Sequence, residues 1–395
     1  MQSSDPRHFF ETDAEQETRS RRAAKASNTY GSPIVLKSKL LAACLDPRAP
    51  SSAIFVAESA GCVRRVTLDD PPSTKETYRG PITPVSCVAV SGTTVFAGAW
   101  DKIIWSWDLA TRAPGLKYAG HADFVKALAV ARLRGRDVLI SGGADKKILV
   151  WDAATGRRLH TMSDAVVNMM SVQDLLVDHH HDGGGEGDDE VVVISASSDP
   201  HIRRWRIRED GWEQLVEEDP AVPGAERRTI LEHETTVYKL VLGPDGEGEE
   251  LWSASGDGTA KCMSRLKNFG VEDTFAHGAH VRAVAVGGGW VITAGRDEDL
   301  RFWDRTSGEL VFVVEGHYDE VTELLVLEGG ERLCSVSIDG TVRTWPLQRA
   351  ALAELVQSQQ KVEVQEEETE GSDDKGNLLT LDEEAELAAL MEDDE

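Results

Sequence analysis

The sequence predicts an all-β chain in which one small antiparallel sheet is repeated seven times, and three observations carry that prediction. Tryptophan recurs at Trp107, Trp151, Trp205, Trp303 and Trp345, at intervals of 44, 54, 98 and 42 residues. The interval of 98 is double, with Met263 in the missing place 40 residues before Trp303. Self-similarity at a fixed period marks a repeat architecture. The spelling around each landmark also recurs: GAWDKIIWSWD (98–108), SGGADKKILVWD (141–152), SASSDPHIRRWRI (195–207), SASGDGTAKCMS (253–264), TAGRDEDLRFWD (293–304) and SVSIDGTVRTWP (335–346). Most run from apolar residues through a hydroxyl and a turn-type Asp into an alternating strand, which is a hairpin signature. Upstream of each hairpin stands a further apolar segment: VSCVAV, VKALAV, VVNMMSV, VYKLVL, VRAVAV and VTELLVL.

A spacing test sharpens the repeat. With the turn Asp as origin, a hydroxyl residue stands four positions before it and an aromatic six after. Asp145 gives Ser141 and Trp151, Asp199 gives Ser195 and Trp205, Asp297 gives Thr293 and Trp303, and Asp339 gives Ser335 and Trp345. A His falls four residues before the first Val of the opening strand, at His121, His233, His277 and His317. These residues resemble the WD-repeat family over roughly residues 34–347. The resemblance implies a seven-bladed β-propeller with four-stranded blades around a central channel. It also implies a series of hydrogen bonds in each blade, from Trp indole to hydroxyl to His to Asp. Such a buried polar network rigidifies a blade only when every member is satisfied.

The first blade, IFVAESAGCVRRVTL, is degenerate, with Ala60 at the Asp place and Val66 at the Trp place. Blade two keeps Asp101 and Trp107 but has Ala97 for the hydroxyl and Pro81 for the His. Blades three, six and seven are complete. Blade four keeps Ser195, Asp199 and Trp205, takes VVNMMSV as its opening strand and has Met162 at the His place. Blade five lacks only its Trp, replaced by Met263. After Trp345 the run LQRAALAELVQ reads as helix, so the last blade lacks an outer strand of its own. The segment Pro33-Ile34-Val35-Leu36 is expected to supply it and to shut the ring, removing an open sheet edge.

Three parts follow: an arm over 1–32, the ring over 33–347 and a tail over 348–395. The arm is polar and expected to be disordered. Its basic cluster, Arg19, Arg21, Arg22 and Lys25, reads as part of a solvated tail, with nuclear import or phosphate binding as the alternative. The loop DHHHDGGGEGDDE (178–190) interrupts blade four between its first and second strands. His179, His180, His181 and Asp182 are metal-competent, but a Gly-rich loop is costly to order and consecutive His do not converge on one ion. No metal or cofactor is expected. The tail begins with a short helix near Ala351–Val356, continues through the linker-like QKVEVQEEETEGSDDKGN and ends in LLTLDEEAELAALMEDDE. Thr380 and Glu383 form a capping box there. Leu387, Leu390 and Met391 share one face, which suits docking into a partner groove; a purely solubilising tail is the alternative.

The net charge of −27 lies mostly outside the ring. Residues 348–395 carry sixteen acidic and three basic side chains, and the loop 178–190 adds six acids and neither Lys nor Arg. An acidic whole argues against non-specific nucleic-acid binding, which depends on Lys and Arg. No apolar run approaches the ~20 residues of a membrane span, and the amino terminus lacks the apolar stretch of a secretory signal. Cys44, Cys62, Cys87, Cys262 and Cys334 are odd in number and widely spaced, without a CxxC pair. They read as reduced core thiols of a cytoplasmic or nuclear protein.

If the family geometry holds, one face carries the residues beside the turn Asp and flanking the first Val of each opening strand. Blade two then offers Pro84, Ser86 and Trp100, and blade three offers Phe124 and Lys126. Blade five offers Thr236 and Tyr238, blade six His280, Arg282 and Arg296, and blade seven Glu320, Thr322 and Ile338. Trp, Tyr and Arg are enriched at interface hot spots, and Arg makes charge-assisted bonds to carboxylate or phosphate. The expected partners are therefore proteins, including peptides with acidic or phosphorylated groups, held by a monomeric ring acting as a non-catalytic scaffold or adaptor. A substrate receptor of a cullin-type ubiquitin ligase is a narrower alternative, but no repeat ends in the full Trp-Asp-x-Arg pattern: Trp303-Asp304-Arg305-Thr306 and Trp205-Arg206-Ile207-Arg208 each miss one element. An enzyme is disfavoured, because Walker, GxSxG, HExxH and zinc-ligand spacings are lacking. His121, Ser141 and Asp145, which look like a triad by composition, are assigned to the blade network. Association with nucleic acid is the remaining class.

Overall fold

Period-two alternation sets the architecture. Along Val125–Leu133, buried residues alternate with partly or fully exposed ones, as a strand with one face against the core requires. Turn chemistry sets the hairpins. The residue after the turn Asp is left-handed in blade two (Lys102, φ 72°), three (Lys146, φ 65°), five (Gly258, φ 86°), six (Glu298, φ 77°) and seven (Gly340, φ 83°). A Cβ at Gly340 would stand 2.9 Å from the Leu36 carbonyl, so glycine is needed there for space as well as for φ.

The computed structural model describes residues 19–373 apart from 24, 70, 179–188, 223 and 245–248, with side chains of the carboxyl-terminal helix described to 361. The chain divides into two units, Met1–Gln348 and Arg349–Glu395. Among the described residues the first unit holds seven antiparallel sheets, each of at least four strands, forming a seven-bladed β-propeller. Blades one to six run in sequence order from Leu40–Leu45 to Leu310–Val314. The seventh consists of Val321–Val326, Arg332–Ser337, Thr341–Pro346 and, as its outer strand, Ile34–Val35. Ile34 pairs with Val342 and Val35 with Thr341, which closes the ring by the expected segment. The core lies between neighbouring sheets, as where Leu40, Val56 and Val66 of blade one meet Val336 and Val342 of blade seven.

Blade four departs from the sequence reading. VVNMMSV is not its opening strand: residues 165–168 form a turn, held by Val166 and Val167 N–H bonds to Asp164 Oδ1 at 2.9 and 3.0 Å. The strand is Val172–Asp178. Met162, assigned to the His place, instead ends the outer strand of blade three opposite Ile148. The outer edge of blade four is split between Trp212–Gln214 and Ile230–Leu231, with a two-stranded excursion between them.

The ordered chain also extends beyond the arm boundary read from composition. Residues 19–23 are helical, and the chain from there to Ser32 packs on blades six and seven: Asn28 Nδ2 donates to the Gly316 carbonyl at 2.8 Å and Thr344 N to the Gly31 carbonyl at 2.8 Å. These backbone and ion-pair partners explain the order that apolar content alone does not predict. In the second unit the helix runs over Arg349–Asp373, through much of the segment read as linker; that segment lacks Pro and is rich in Glu, Gln and Lys, all good helix formers. The loop His179–His181 with Asp182, the capping box at Thr380 and the triplet Leu387, Leu390 and Met391 lie outside the described residues.

Candidate functional site: the channel mouth and the network that holds it

The blade networks fix the turns from which the candidate face is built. In blade three, Trp151 Nε1 donates to Ser141 Oγ at 2.9 Å, Ser141 Oγ meets His121 Nε2 at 2.9 Å, and His121 Nδ1 meets Asp145 Oδ1 at 3.0 Å. Blade seven repeats this through Trp345, Ser335, His317 and Asp339 at 2.8, 2.7 and 2.8 Å. In blade five the His233 ring links Ser253 and Asp257 at 2.7 and 2.8 Å, with Met263 buried in the Trp place. Blade six turns the ring over: His277 Nδ1 meets Thr293 Oγ1 at 2.8 Å and Nε2 meets Asp297 Oδ1 at 2.9 Å, while Trp303 Nε1 donates to Thr293 at 2.9 Å. Burial opposes ionisation of Asp145, Asp257, Asp297 and Asp339, but hydrogen bonds and the His partner outweigh it and hold all four carboxyls below their usual range.

Sequence spacing missed a second locking group, four residues after the turn Asp. In blade four this is Arg203, fully buried, whose Nη1 donates to Asp199 Oδ1 and whose Nε donates to Asp164 Oδ2, both at 2.9 Å. In blades three, five and seven the backbone N–H after the network His donates to the turn Asp, from Ala122, Glu234 and Tyr318. In blade four that donor is Met170, to Asp199 Oδ2 at 2.8 Å, so Met169 stands where His would. The equivalents of Arg203 are Arg64, Trp105, Leu149, Lys261, Arg301 and Arg343. A cation in five of these seven positions, inside otherwise apolar strands, was the available signal. In blade two Trp105 Nε1 binds Asp101 at 3.0 Å, and Trp107, without its hydroxyl partner, donates to the Arg79 carbonyl at 3.0 Å.

The candidate face residues come together through two repeated backbone devices. In the first, the residue before the turn Asp donates its N–H to the carbonyl of the residue before the opening Val: Trp100 to Pro84, Arg296 to His280 and Ile338 to Glu320. Blade three uses the same bond from Ala144 to Phe124. In the second, the opening strand of every blade bulges just after its first residue, skipping Leu41, Ser86, Lys126, Gln173, Tyr238, Arg282 and Thr322 in the pairing. A bulge re-aims the unpaired residue, and all seven of these line one central cavity of about 660 Å³.

The chemistry of this ring of bulges is uneven. Lys126 Nζ donates to Gln173 Oε1 at 2.9 Å. Burial and the nearby Arg282 push its ammonium pKa down to about 8. The Arg282 guanidinium lies 4.7 Å from the Tyr238 ring centroid, with Glu320 Oε1 at 3.8 Å from its Nε. Elsewhere in the same cavity charge is matched: Lys239 sits 2.9 Å from Glu323 and 3.8 Å from Asp174. On the rim, Trp100 and Phe124 stack at 5.0 Å and 16° while 42% and 38% exposed. His280 and Arg296 are exposed as well. Asp299, a possible partner for this basic group, is paired with Lys25 of the arm instead, at 3.1 Å.

All five cysteines are unpaired, and burial pushes the thiols of Cys44, Cys87, Cys262 and Cys334 up to about 12, which favours their neutral form. Among the described residues no helix is long and apolar enough to cross a membrane.

A family model described as the tRNA methyltransferase TRM82 WD40 domain matches residues 118–216, and one described as WD domain, G-beta repeat matches 308–346. An uncharacterized WD repeat-containing protein of Schizosaccharomyces pombe is 28% identical, with both chains covered in full. The nuclear distribution protein nudF of Aspergillus niger is 24% identical over 70% of this chain and 62% of its own length. The solved WD40 β-propeller domain of Doa1 superposes with a TM-score of 0.60 at 18% identity, covering 80% of this chain and 95% of that one. The repeated hairpins, their hydrogen-bonded turns and these likenesses agree: the chain is a seven-bladed β-propeller similar to proteins of the WD-repeat family.

Proposed function

We propose that the chain is a non-catalytic adaptor that holds a partner protein at the channel mouth through an acidic or phosphorylated segment. One observation carries this reading. The bulges bring Lys126 and Arg282 together at the mouth of a strongly acidic protein, with the Gln173 amide, the Tyr238 ring and one carboxylate, Glu320 at 3.8 Å from Arg282, as their nearest company. An incoming carboxylate or phosphate would relieve the mutual repulsion of the two cations and accept their N–H donors. The exposed Trp100–Phe124 stack supplies an apolar anchor beside them. Unpaired thiols fit a reducing compartment, cytoplasm or nucleus.

The test is affinity purification with mass spectrometry, comparing wild type with K126E/R282E and with a chain ending at Leu347. Loss of partners from the charge-reversed ring, at unchanged melting temperature, is expected; retention of every partner would refute the proposal. Binding of an acidic partner should also weaken as pH rises above 8, where Lys126 loses its charge, and K126R should flatten that dependence. A second reading, association with an RNA-modifying methyltransferase, draws on the match over residues 118–216. Recovery of such an enzyme in the same purification would favour it.

A further inference from the structure

The basic residues of the arm are engaged by a notch where blade six meets blade seven. Arg21 Nη2 and Arg22 Nε both reach Glu298 Oε1 at 3.2 Å, and Arg22 Nη2 reaches Asp319 Oδ1 at 3.0 Å. Lys25 Nζ lies 3.1 Å from Asp299 and 3.3 Å from Glu315. Glu298 is the unusual member. It follows the turn Asp in a left-handed conformation, φ 77°, as Lys102 and Lys146 do in blades two and three, where blades five and seven use glycine, but it alone of the three places an acid there. Its side chain is fully buried, and Oε2 has no hydrogen-bond partner, with Lys25 Nζ 3.9 Å away. A non-glycine residue in this region is strained, and a buried carboxylate is costly without a cation beside it. The notch therefore demands a basic ligand.

The resident ligand is weakly held. Arg21 and Arg22 side chains remain 53% and 40% exposed, so solvent screens the cationic half of each pair with buried Glu298, and Lys25, 15% exposed, is the deeper anchor. A few helical residues lie far below the length at which a helix sustains itself. The arm stays in place largely because it is tethered through residues 26–33 to the closing strand, which raises its effective concentration. A built acidic notch filled by a loosely bound segment of the same chain has the form of an exchangeable site.

We infer that the notch of Glu298, Asp299, Glu315 and Asp319 is a receptor for a helical segment of a partner protein with the spacing Arg-Arg-x-x-Lys, and that Arg21, Arg22 and Lys25 occupy it in cis until displaced. The notch takes cations and stands apart from the Lys126–Arg282 mouth, so it does not depend on the function proposed above.

The probe is a synthetic peptide of residues 17–32, titrated by fluorescence anisotropy against the full chain. R21E/R22E/K25E, which empties the notch, should bind the peptide at least tenfold more tightly than wild type, whose own arm competes. Adding E298Q/D299N to that variant should weaken binding at least tenfold. Equal affinity for wild type and the arm variant, or indifference to E298Q/D299N, overturns the inference. A second measurement leaves the arm sequence intact: trypsin should cut after Arg21 and Arg22 several-fold faster in E298Q/D299N than in wild type. An unchanged cleavage rate would likewise overturn it.

Discussion

In blade three the turn carboxylate of Asp145 is held by His121, whereas in blade four Asp199 is held by Arg203. The two locks differ in reach and in charge. The imidazole relays a hydrogen bond between Ser141 and Asp145, so the lock stays within one sheet and its connecting loop. The guanidinium ties Asp199 to Asp164 and, through Nη2, to the Val167 carbonyl at 3.0 Å, and thereby fastens the extra loop that precedes the opening strand. Ser195 then serves only Trp205, at 2.8 Å. A blade needs its turn carboxylate neutralised and its indole satisfied, and more than one side chain can meet that need.

Breaking the ionic lock should have the largest effect. Arg203→Met leaves two carboxylates without their cation in a buried setting, for which about 3–5 kcal/mol is expected, measured by urea denaturation. His121→Ala leaves Ser141 and Asp145 short of one partner each and should cost about 1–3 kcal/mol. If the two variants prove equally stable, the locks are energetically equivalent and the contrast between them fails. Paired Ser→Ala variants refine it further. Ser141→Ala strands both an indole N–H and an imidazole nitrogen, and Ser195→Ala strands only the indole, so the former should be worse by about 1 kcal/mol.

Acid separates the two kinds of lock with the smallest effect. Burial lowers the His317 pKa in the blade-seven network. Its contribution to stability is complete above the ordinary imidazole value of about 6.5 and is lost as pH falls through the lower folded value. In blade four the hydrogen bond from Arg203 and the Val166 and Val167 N–H groups overcome burial and hold Asp164 below the usual carboxylate range. That contribution persists until pH falls below about 4. As pH falls from 7 to 5, hydrogen-exchange protection, corrected for the intrinsic slowing of amide exchange in acid, should therefore drop in Thr341–Pro346 before it does in His201–Arg208. The reverse order would contradict these assignments.

The contrast also marks what the sequence made legible. Blade three could be read residue by residue, because Asp145, Ser141, Trp151 and His121 keep the spacing that a shared backbone geometry imposes. The closing strand was legible for the same reason, since Ile34-Val35 is an apolar pair next to a blade that lacks an edge. Blade four was misread because its connecting loop is long and itself apolar: VVNMMSV looks like a strand until Asp164 is seen to gather the Val166 and Val167 N–H groups into a turn. Arg203 was hidden inside HIRRWRI, where alternation alone does not show which arginine points inward. The basic cluster at 19–25 gave no sign of its acidic partners, which lie nearly three hundred residues away. Face positions followed from family spacing, but the bulges that turn Lys126, Tyr238 and Arg282 into the channel are a register property and leave no mark in composition.

The pairing of Ile34 with Val342 bears on how the molecule is made. A strand synthesised near the start must wait for a blade synthesised near the end, and until then blade seven offers a bare edge. Contacts so distant along the chain form late, and an unpaired edge during that interval is prone to pair with another nascent chain. Production of the native ring should accordingly be sensitive to ribosome pausing between the codons for Trp303 and Trp345, a vulnerability that belongs to biosynthesis and leaves no trace in the finished protein.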